Sequence, residues 1–249
     1  MKATPADLWG PAVQKLGRHG TLTADDILAI TALPMTVRDV RSGTYLFREG
    51  DKPSHCCVLI AGYANRHKLT MDGSRQIVSI HLRGDIIDLQ QLLLSTADHS
   101  VQTLTAATLG MISIRQMKEL ARERPSVGEA FWRDCLVDAS TFREWVLNVG
   151  RRDAPARIAH LLCEFGTRSE SAGLSRDGKF ELPMTQEQLA DATGLTPVHV
   201  NRTLQRLGAQ GLIERTMRSI DVIDWDGLKL VAGFQGAYLH ENMAGLRNS

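Results

Sequence analysis

The 249-residue chain is poor in aromatics (5%), holds four cysteines, carries a net charge of +1 and has no long apolar run. Each shortage excludes something. Cys56, Cys57, Cys135 and Cys163 are scattered and show no disulfide-framework spacing, so a reducing cytosol is the expected setting. No apolar stretch approaches the ~20 residues of a membrane helix. The opening MKATPADLWGPAVQKLG lacks the apolar core of a secretory signal. A balanced charge does not announce a nucleic-acid partner. Even between Leu182 and Arg218 four arginines face three acids, so any DNA contact there depends on placement rather than quantity of charge. No nucleophile motif and no phosphate-cradling glycine loop is present, and an enzyme reading has no support.

What is present falls into segments of different texture. Residues 23–33 read as a short helix capped by Thr23, with Asp25 and Asp26 at the positive end of its dipole. From Met35 to about Leu109, β-prone runs (TVRDV, TYLF, CCVLIAGY, NRHKLTM, QIVSIHL, HSVQTLTAAT) alternate with glycines. MDGSRQ is a hairpin signal, because Asp-Gly tolerates the positive φ of a tight turn. Many short strands predict a sandwich or barrel.

Pro125-Ser126 then opens a helical stretch of about 24 residues, a rod of ~36 Å. It has two apolar faces. Phe131, Cys135, Phe142, Trp145 and Val149 follow a heptad-like seam, interrupted by Asp138. Trp132, Leu136, Ala139 and Val146 form a second stripe. One face can cover the β domain, and a second copy of the helix is the simplest cover for the other. The competing arrangement is a helix buried on both sides within one chain. Gly150–Pro155 breaks the rod. A helix ARIAHLLCEFG follows, with Gly166 read as its C′ residue, and then a polar loop TRSESAGLSRDGK.

LADATGLTPVHVNRTLQRL asks why one glycine should break a helix that restarts at once. Thr185 to Gln188 form a capping box, with Met184 and Leu189 as a hydrophobic staple. Gly194 supplies a left-handed turn residue, and the small Ala190 and Gly194 let two helices cross closely. The second helix starts on Thr196 with Pro197 at its first position. Leu189, Ala190, Leu195, Val200, Leu204 and Leu207 point inward, which leaves Thr196, Val198, His199, Asn201 and Arg202 outward. That is a helix-turn-helix, and GLIERTMRSIDVID adds a hairpin wing. An αα-hairpin of another fold is the competing reading.

In the order β-roll, long helix, hinge helix and winged helix, the chain resembles the Crp/Fnr (cyclic-AMP receptor protein/fumarate-nitrate regulator) family from about Leu22 to Asp224. The stretches that carry the resemblance are YLFREGD, IAGYANRHKLTMDGSRQIVSIHLRGDII, RRDAPARIAHLL and LPMTQEQLADATGLTPVHVNRTLQRLGAQGLIE. It implies an α+β fold: a cyclic-nucleotide-binding-like β-roll with N-terminal helices (1–125), a dimerisation helix (126–150) and a winged helix-turn-helix (151–249). It implies a cytoplasmic homodimer that binds palindromic promoter sites on double-stranded DNA, works with RNA polymerase and has no membrane role. The DNA-facing residues would be Thr196, Val198, His199, Asn201, Arg202, Arg206 and, in the wing, Arg218. Arg202 matches the family's final recognition-helix arginine, and arginine grips guanine O6 and N7 in two bonds. Arg206 could equally form a surface ion pair. Pro197-Val198 replaces the family's usual Arg-Glu pair, so the half-site need not be the common one.

Departures bear on the signal sensed. Where cyclic-nucleotide binders of the family carry Gly-Glu and then Arg-Ser, this chain has Asp88-Leu89 and His99-Ser100. Leucine cannot bond a ribose hydroxyl and neutral histidine is a poor anion clamp, so the reading rejects cyclic AMP. Residues 1–55 hold no cysteine, which removes the iron–sulfur sensor by ligand count. No cofactor, metal site or catalytic residue is expected. Haem stays open through His67, His81 and His99, for which surface or hydrogen-bonding roles are the simpler reading. Cys56 and Cys57 point to opposite faces of a strand and are expected in the core, with a one-cysteine redox sensor as the alternative. The rival function is a ligand-binding or protein-interaction module whose DNA binding has decayed.

Overall fold

A computed structural model describes residues 4–216 and 219–241. They form two compact units. The first takes in the chain to His67, Ile80–Ala139 and the residues from His240. The second takes in Lys68–Ser79 and Ser140–Leu239. Mixed helix and strand is the fold class the sequence predicts. No helix among the described residues is long and apolar enough to cross a membrane.

The first unit begins with α1 (Pro5–His19) and α2 (Ala24–Thr31), both opened by capping boxes, on Thr4/Asp7 and Thr23/Asp26. Asp26 is more than a dipole residue. It is buried, accepts from Ser126 Oγ at 2.8 Å and pairs with Arg124 at 3.2 Å. The strands up to Ser113 are β1 (Thr36–Val40), β2 (Tyr45–Phe47), β3 (His55–Ala61), β4 (Ala64–Leu69), β5 (Arg75–His81), β6 (Ile86–Ile87), β7 (Ser100–Thr103) and β8 (Ala107–Ser113), of which the end of β4 and most of β5 fall in the Lys68–Ser79 stretch counted with the second unit. They build two four-stranded sheets, ordered β1-β8-β3-β6 and β2-β7-β4-β5. The run HSVQTLTAAT thus spans β7 and the start of β8.

Period-2 alternation sends neighbours to opposite faces. Cys56 joins the cluster of Trp9, Leu16, Ile30 and Phe131, whereas Cys57 joins that of Phe47, Leu59 and Val101. Burial pushes both thiols up, Cys57 to about 12. A thiolate is the reactive form, so burial works against the redox-sensor alternative at both cysteines.

After β8 come α3 (Ile114–Glu123) and the 27-residue α4 (Pro125–Arg151). On α4, Phe131 belongs to the first unit's core, and Trp132, Leu136, Ala139 and Val146 are exposed, Leu136 at 66%. Phe142 keeps its place on the seam, but the seam is open there and the ring is half exposed. At about 100° per residue it lies ~20° round from Phe131 toward the open stripe, and so borders that stripe.

The second unit contains α5 (Ala154–Ser171), β9 (Ser175–Arg176), β10 (Lys179–Glu181), α6 (Gln186–Thr193), α7 (Pro197–Ala209), β11 (Ile213–Arg215), β12 (Ser219–Val222) and α8 (Trp225–Ala232). Two expectations are corrected here. The polar loop after α5 contains the β9–β10 hairpin, which joins the wing in one sheet ordered β11-β12-β10-β9. Its turn is made by Asp177 and Gly178, both at positive φ. Gly166 does not cap α5, which continues to Ser171. A Cβ at Gly166 would lie 2.7 Å from Trp225 and 2.8 Å from Phe180, so the glycine marks a close approach. Both neighbours are rigid rings. Gly166→Ala is therefore expected to cost ~1–3 kcal/mol by overpacking, despite alanine's better helix propensity. Denaturant unfolding checks this, and an unchanged midpoint would mean that the rings shift freely.

Buried Glu164 is the second unit's internal anchor. Trp145 Nε1 donates to both carboxylate oxygens at 2.9 and 3.0 Å, and Tyr238 Oη donates at 2.8 Å. Burial pushes this carboxyl up against the pull of Arg168, 3.5 Å away.

Candidate nucleic-acid interface and sensory pocket

The helix-turn-helix is built by its ends. Thr185 accepts from Gln188 N at 3.2 Å, and Gln188 Oε1 accepts from Thr185 N at 2.9 Å. Gly194 sits at φ +64°, where a β-carbon is strained. A Cβ there would meet nothing closer than 3.7 Å, so dihedral freedom is the reason for this glycine, and close helix crossing is not. Arg157 Nη1 donates to Thr193 O at 3.1 Å and satisfies a terminal carbonyl of α6. Thr196 caps α7 by accepting from His199 N at 3.3 Å.

The inward face of α7 is Val200, Thr203, Leu204 and Leu207, all buried. Thr196, Val198, His199, Arg202 and Arg206 are exposed, Val198 at 66%. Arg202 and Arg206 form no ion pair among the described residues, so both guanidinium groups are available. Asn201 differs, because it is half-buried and its Oδ1 accepts from Gln186 Nε2 at 3.1 Å. Sequence reasoning passed over Gln205, which is exposed three residues beyond Arg202 on the same face. The i, i+3 spacing was the available signal. In the wing, Glu214 pairs with Asp221 and Arg215 with Ile220, and Thr216 N donates to Ser219 O at 3.0 Å. Arg218 lies outside the described residues.

In the first unit, the positions expected to hold a cyclic nucleotide are occupied by the chain itself. Asp88 is buried at φ +63° and accepts from Arg66 Nη2 at 3.0 Å. Arg66 Nη1 also donates to Asp138 on α4 at 2.5 Å. His99 lies 3.0 Å from Asp88 through Nε2 and 2.6 Å from Asp98 through Nδ1. Ser100 Oγ accepts from Glu49 N at 3.1 Å, and Leu89 is buried in the core. A ribose or phosphate would have to break these pairs, so the residues do not fit a cyclic nucleotide.

The three β-roll histidines are buried, so of the expected surface or hydrogen-bonding roles they take the second. His67 Nδ1 meets Asn65 Oδ1 at 2.8 Å, and His81 lies 3.5 Å from Asp85. Lys15 bridges Asp85 and Asp134 at 2.9 Å each. No group of three His, Cys, Asp or Glu residues converges as a metal site among the described residues.

Two family models match the chain: a cyclic nucleotide-binding domain over residues 37–124 and a Crp-like helix-turn-helix domain over residues 156–231. The chain belongs to the Crp/Fnr family. Its relatives include the nitrogen fixation regulation protein FixK of Rhizobium meliloti, 29% identical over 79% of this chain and 87% of FixK. The transcriptional activator protein anr of Pseudomonas aeruginosa is 24% identical over 86% of this chain and 88% of its own length. Among solved structures, FixK2 from Bradyrhizobium japonicum superposes with a TM-score of 0.75 at 23% identity, covering 82% of this chain and all of FixK2. This Crp/Fnr member is thus a DNA-binding transcription regulator and not an enzyme.

Proposed function

We propose that this Crp/Fnr regulator acts as a cytoplasmic homodimer joined along α4, reads palindromic promoter sites with two copies of α7, and answers to a signal other than cyclic AMP. The open apolar stripe on α4 supports the dimer. It leaves Trp132, Leu136 and Val146 in water in a single chain, which a two-fold partner would cover. In the proposed division of labour, residues 1–125 sense, 126–150 dimerise and 151–249 bind DNA. A shift between dimer conformers would set the two recognition helices about one DNA turn, ~34 Å, apart. RNA polymerase is the further partner that family membership suggests.

The observation that carries the reading is the face of α7: packing directs Val200, Leu204 and Leu207 inward and thereby aims Arg202 outward. Arg202→Ala is expected to lose ~1–3 kcal/mol per half-site, concentrated at one base position. A phosphate contact would instead weaken all sequences alike and reduce the salt slope by about one per contact. Sites selected from random DNA, then varied one base at a time at several salt concentrations, separate the two. An equal loss on every variant would transfer the base-reading role to His199 or Gln205. A wild-type protein that shifts no DNA fragment would favour the decayed-module reading.

Millimolar cyclic AMP is expected to change neither melting temperature nor DNA affinity, because Asp88, His99 and Ser100 are already engaged. A ligand that binds only the folded state raises the melting temperature by mass action. A clear thermal shift, or micromolar binding by calorimetry, would refute this.

A further inference from the structure

A cavity of about 310 Å³ lies in the first unit, bordered by Leu89 but by none of the engaged residues Asp88, His99 and Ser100. Its apolar wall includes Leu92 and Leu93 at the 3-10 turn that follows β6, and Phe131 and Trp132 on α4. Lys118 and Arg122 of α3 stand on the same lining. These two cations are four residues apart and share one helix face, where like charges repel. Neither has an ion-pair partner among the described residues. On the same helix Arg115 is paired, with Glu119 at 3.2 Å. An apolar recess beside two unneutralised cations is complementary to one kind of small molecule.

We propose that this cavity binds an amphipathic carboxylate, with Lys118 and Arg122 holding the head and the Leu92–Leu93–Phe131–Trp132 wall holding the tail. The volume is at the lower end for ligand pockets and suits an apolar body of roughly eight to ten carbons. Arginine's planar fork matches a carboxylate in two parallel bonds. A doubly charged phosphate head on a small polar body would leave the apolar wall unused. The cavity requires no part of the proposed DNA reading. Because Trp132 also belongs to the α4 stripe, any effect of the ligand on dimerisation does rest on that reading.

The test titrates the full chain with decanoate, using 1-decanol as the uncharged control, by calorimetry and by tryptophan emission. The expected result is one decanoate per protomer with a Kd on the order of 100 µM, and decanol weaker by about tenfold or more. The emission change should vanish in Trp132→Phe, which retains Trp9, Trp145 and Trp225. Lys118→Gln/Arg122→Gln changes two polar positions outside the core. It should keep the melting temperature and lose at least tenfold in decanoate affinity, with decanol unchanged. Equal affinity for the two probes, undiminished decanoate binding by the double variant, or no saturable binding up to 1 mM would each overturn the proposal. So would binding only to monomeric protein, since a second copy would then be the natural occupant. DNA binding is measured on ligand-free protein, so a failure of the DNA reading appears separately.

Discussion

Leu136→Glu is expected to turn the proposed dimer into monomers at micromolar concentration and to weaken binding to a palindromic site by about a hundredfold or more. The side chain is 66% exposed in the single chain, so the substitution disturbs no core. Across a two-fold axis it would set two carboxylates against each other, with little water to solvate them. Linking two half-site readers raises avidity by roughly 10²–10⁴ without any new contact, and that gain is lost on dissociation. Phe142→Glu, at the border of the same stripe, is expected to act in the same direction. Sedimentation gives the mass, and a binding curve on one half-site checks that the monomer still folds and reads DNA. A Leu136→Glu protein that remains dimeric and binds as before would move the interface elsewhere.

Arg66→Met strips the counter-charge from Asp88 and Asp138 together. Asp88 is almost wholly buried, and removing one member of a buried pair costs ~3–5 kcal/mol, because the other charge is left uncompensated. The melting transition of the first unit should fall by roughly 10 °C. The triple variant Arg66→Met/Asp88→Asn/Asp138→Asn removes the stranded charges too and should recover most of the loss. Double- and triple-mutant thermal scans measure the coupling. If Arg66→Met melts within two degrees or so of wild type, water has taken the arginine's place and the network does not hold α4 to the β-roll.

The helix-turn-helix was legible because its signals are local. Thr185 with Gln188, Gly194, and Thr196 with Pro197 each act within four residues, and each does in the structure what its type requires. The strands were legible by alternation for the same reason, down to the opposite faces of Cys56 and Cys57. Where short range misleads, the reading fails. Gly166 looks like a helix terminator until Trp225, 59 positions on, turns out to lie against it. Helix α1 carried a readable capping box at Thr4-Asp7, but Gly10, Pro11 and Gly17 masked its periodicity, and its Trp9 fills the core only through tertiary contact.

The sensory pocket was legible only in what it could not be. Leu89 and His99 argued against a cyclic nucleotide, yet nothing local says that Arg66 reaches Asp88, 22 residues away, and Asp138, 72 residues away. Likewise Asn201 reads as an outward polar residue by helix angle alone. Its tie to Gln186 depends on how α6 crosses α7.

An unbroken α4 also has a mechanical consequence. Its 27 residues make a rod of about 40 Å, with no proline inside to absorb bending. Tilting such a rod by about 5° about one end sweeps the other end through about 3.5 Å, close to the ~3.4 Å step between stacked bases. A tilt pivoting at the Pro125 end that moves Trp132 by only about 1 Å would thus carry the far end through about one base step.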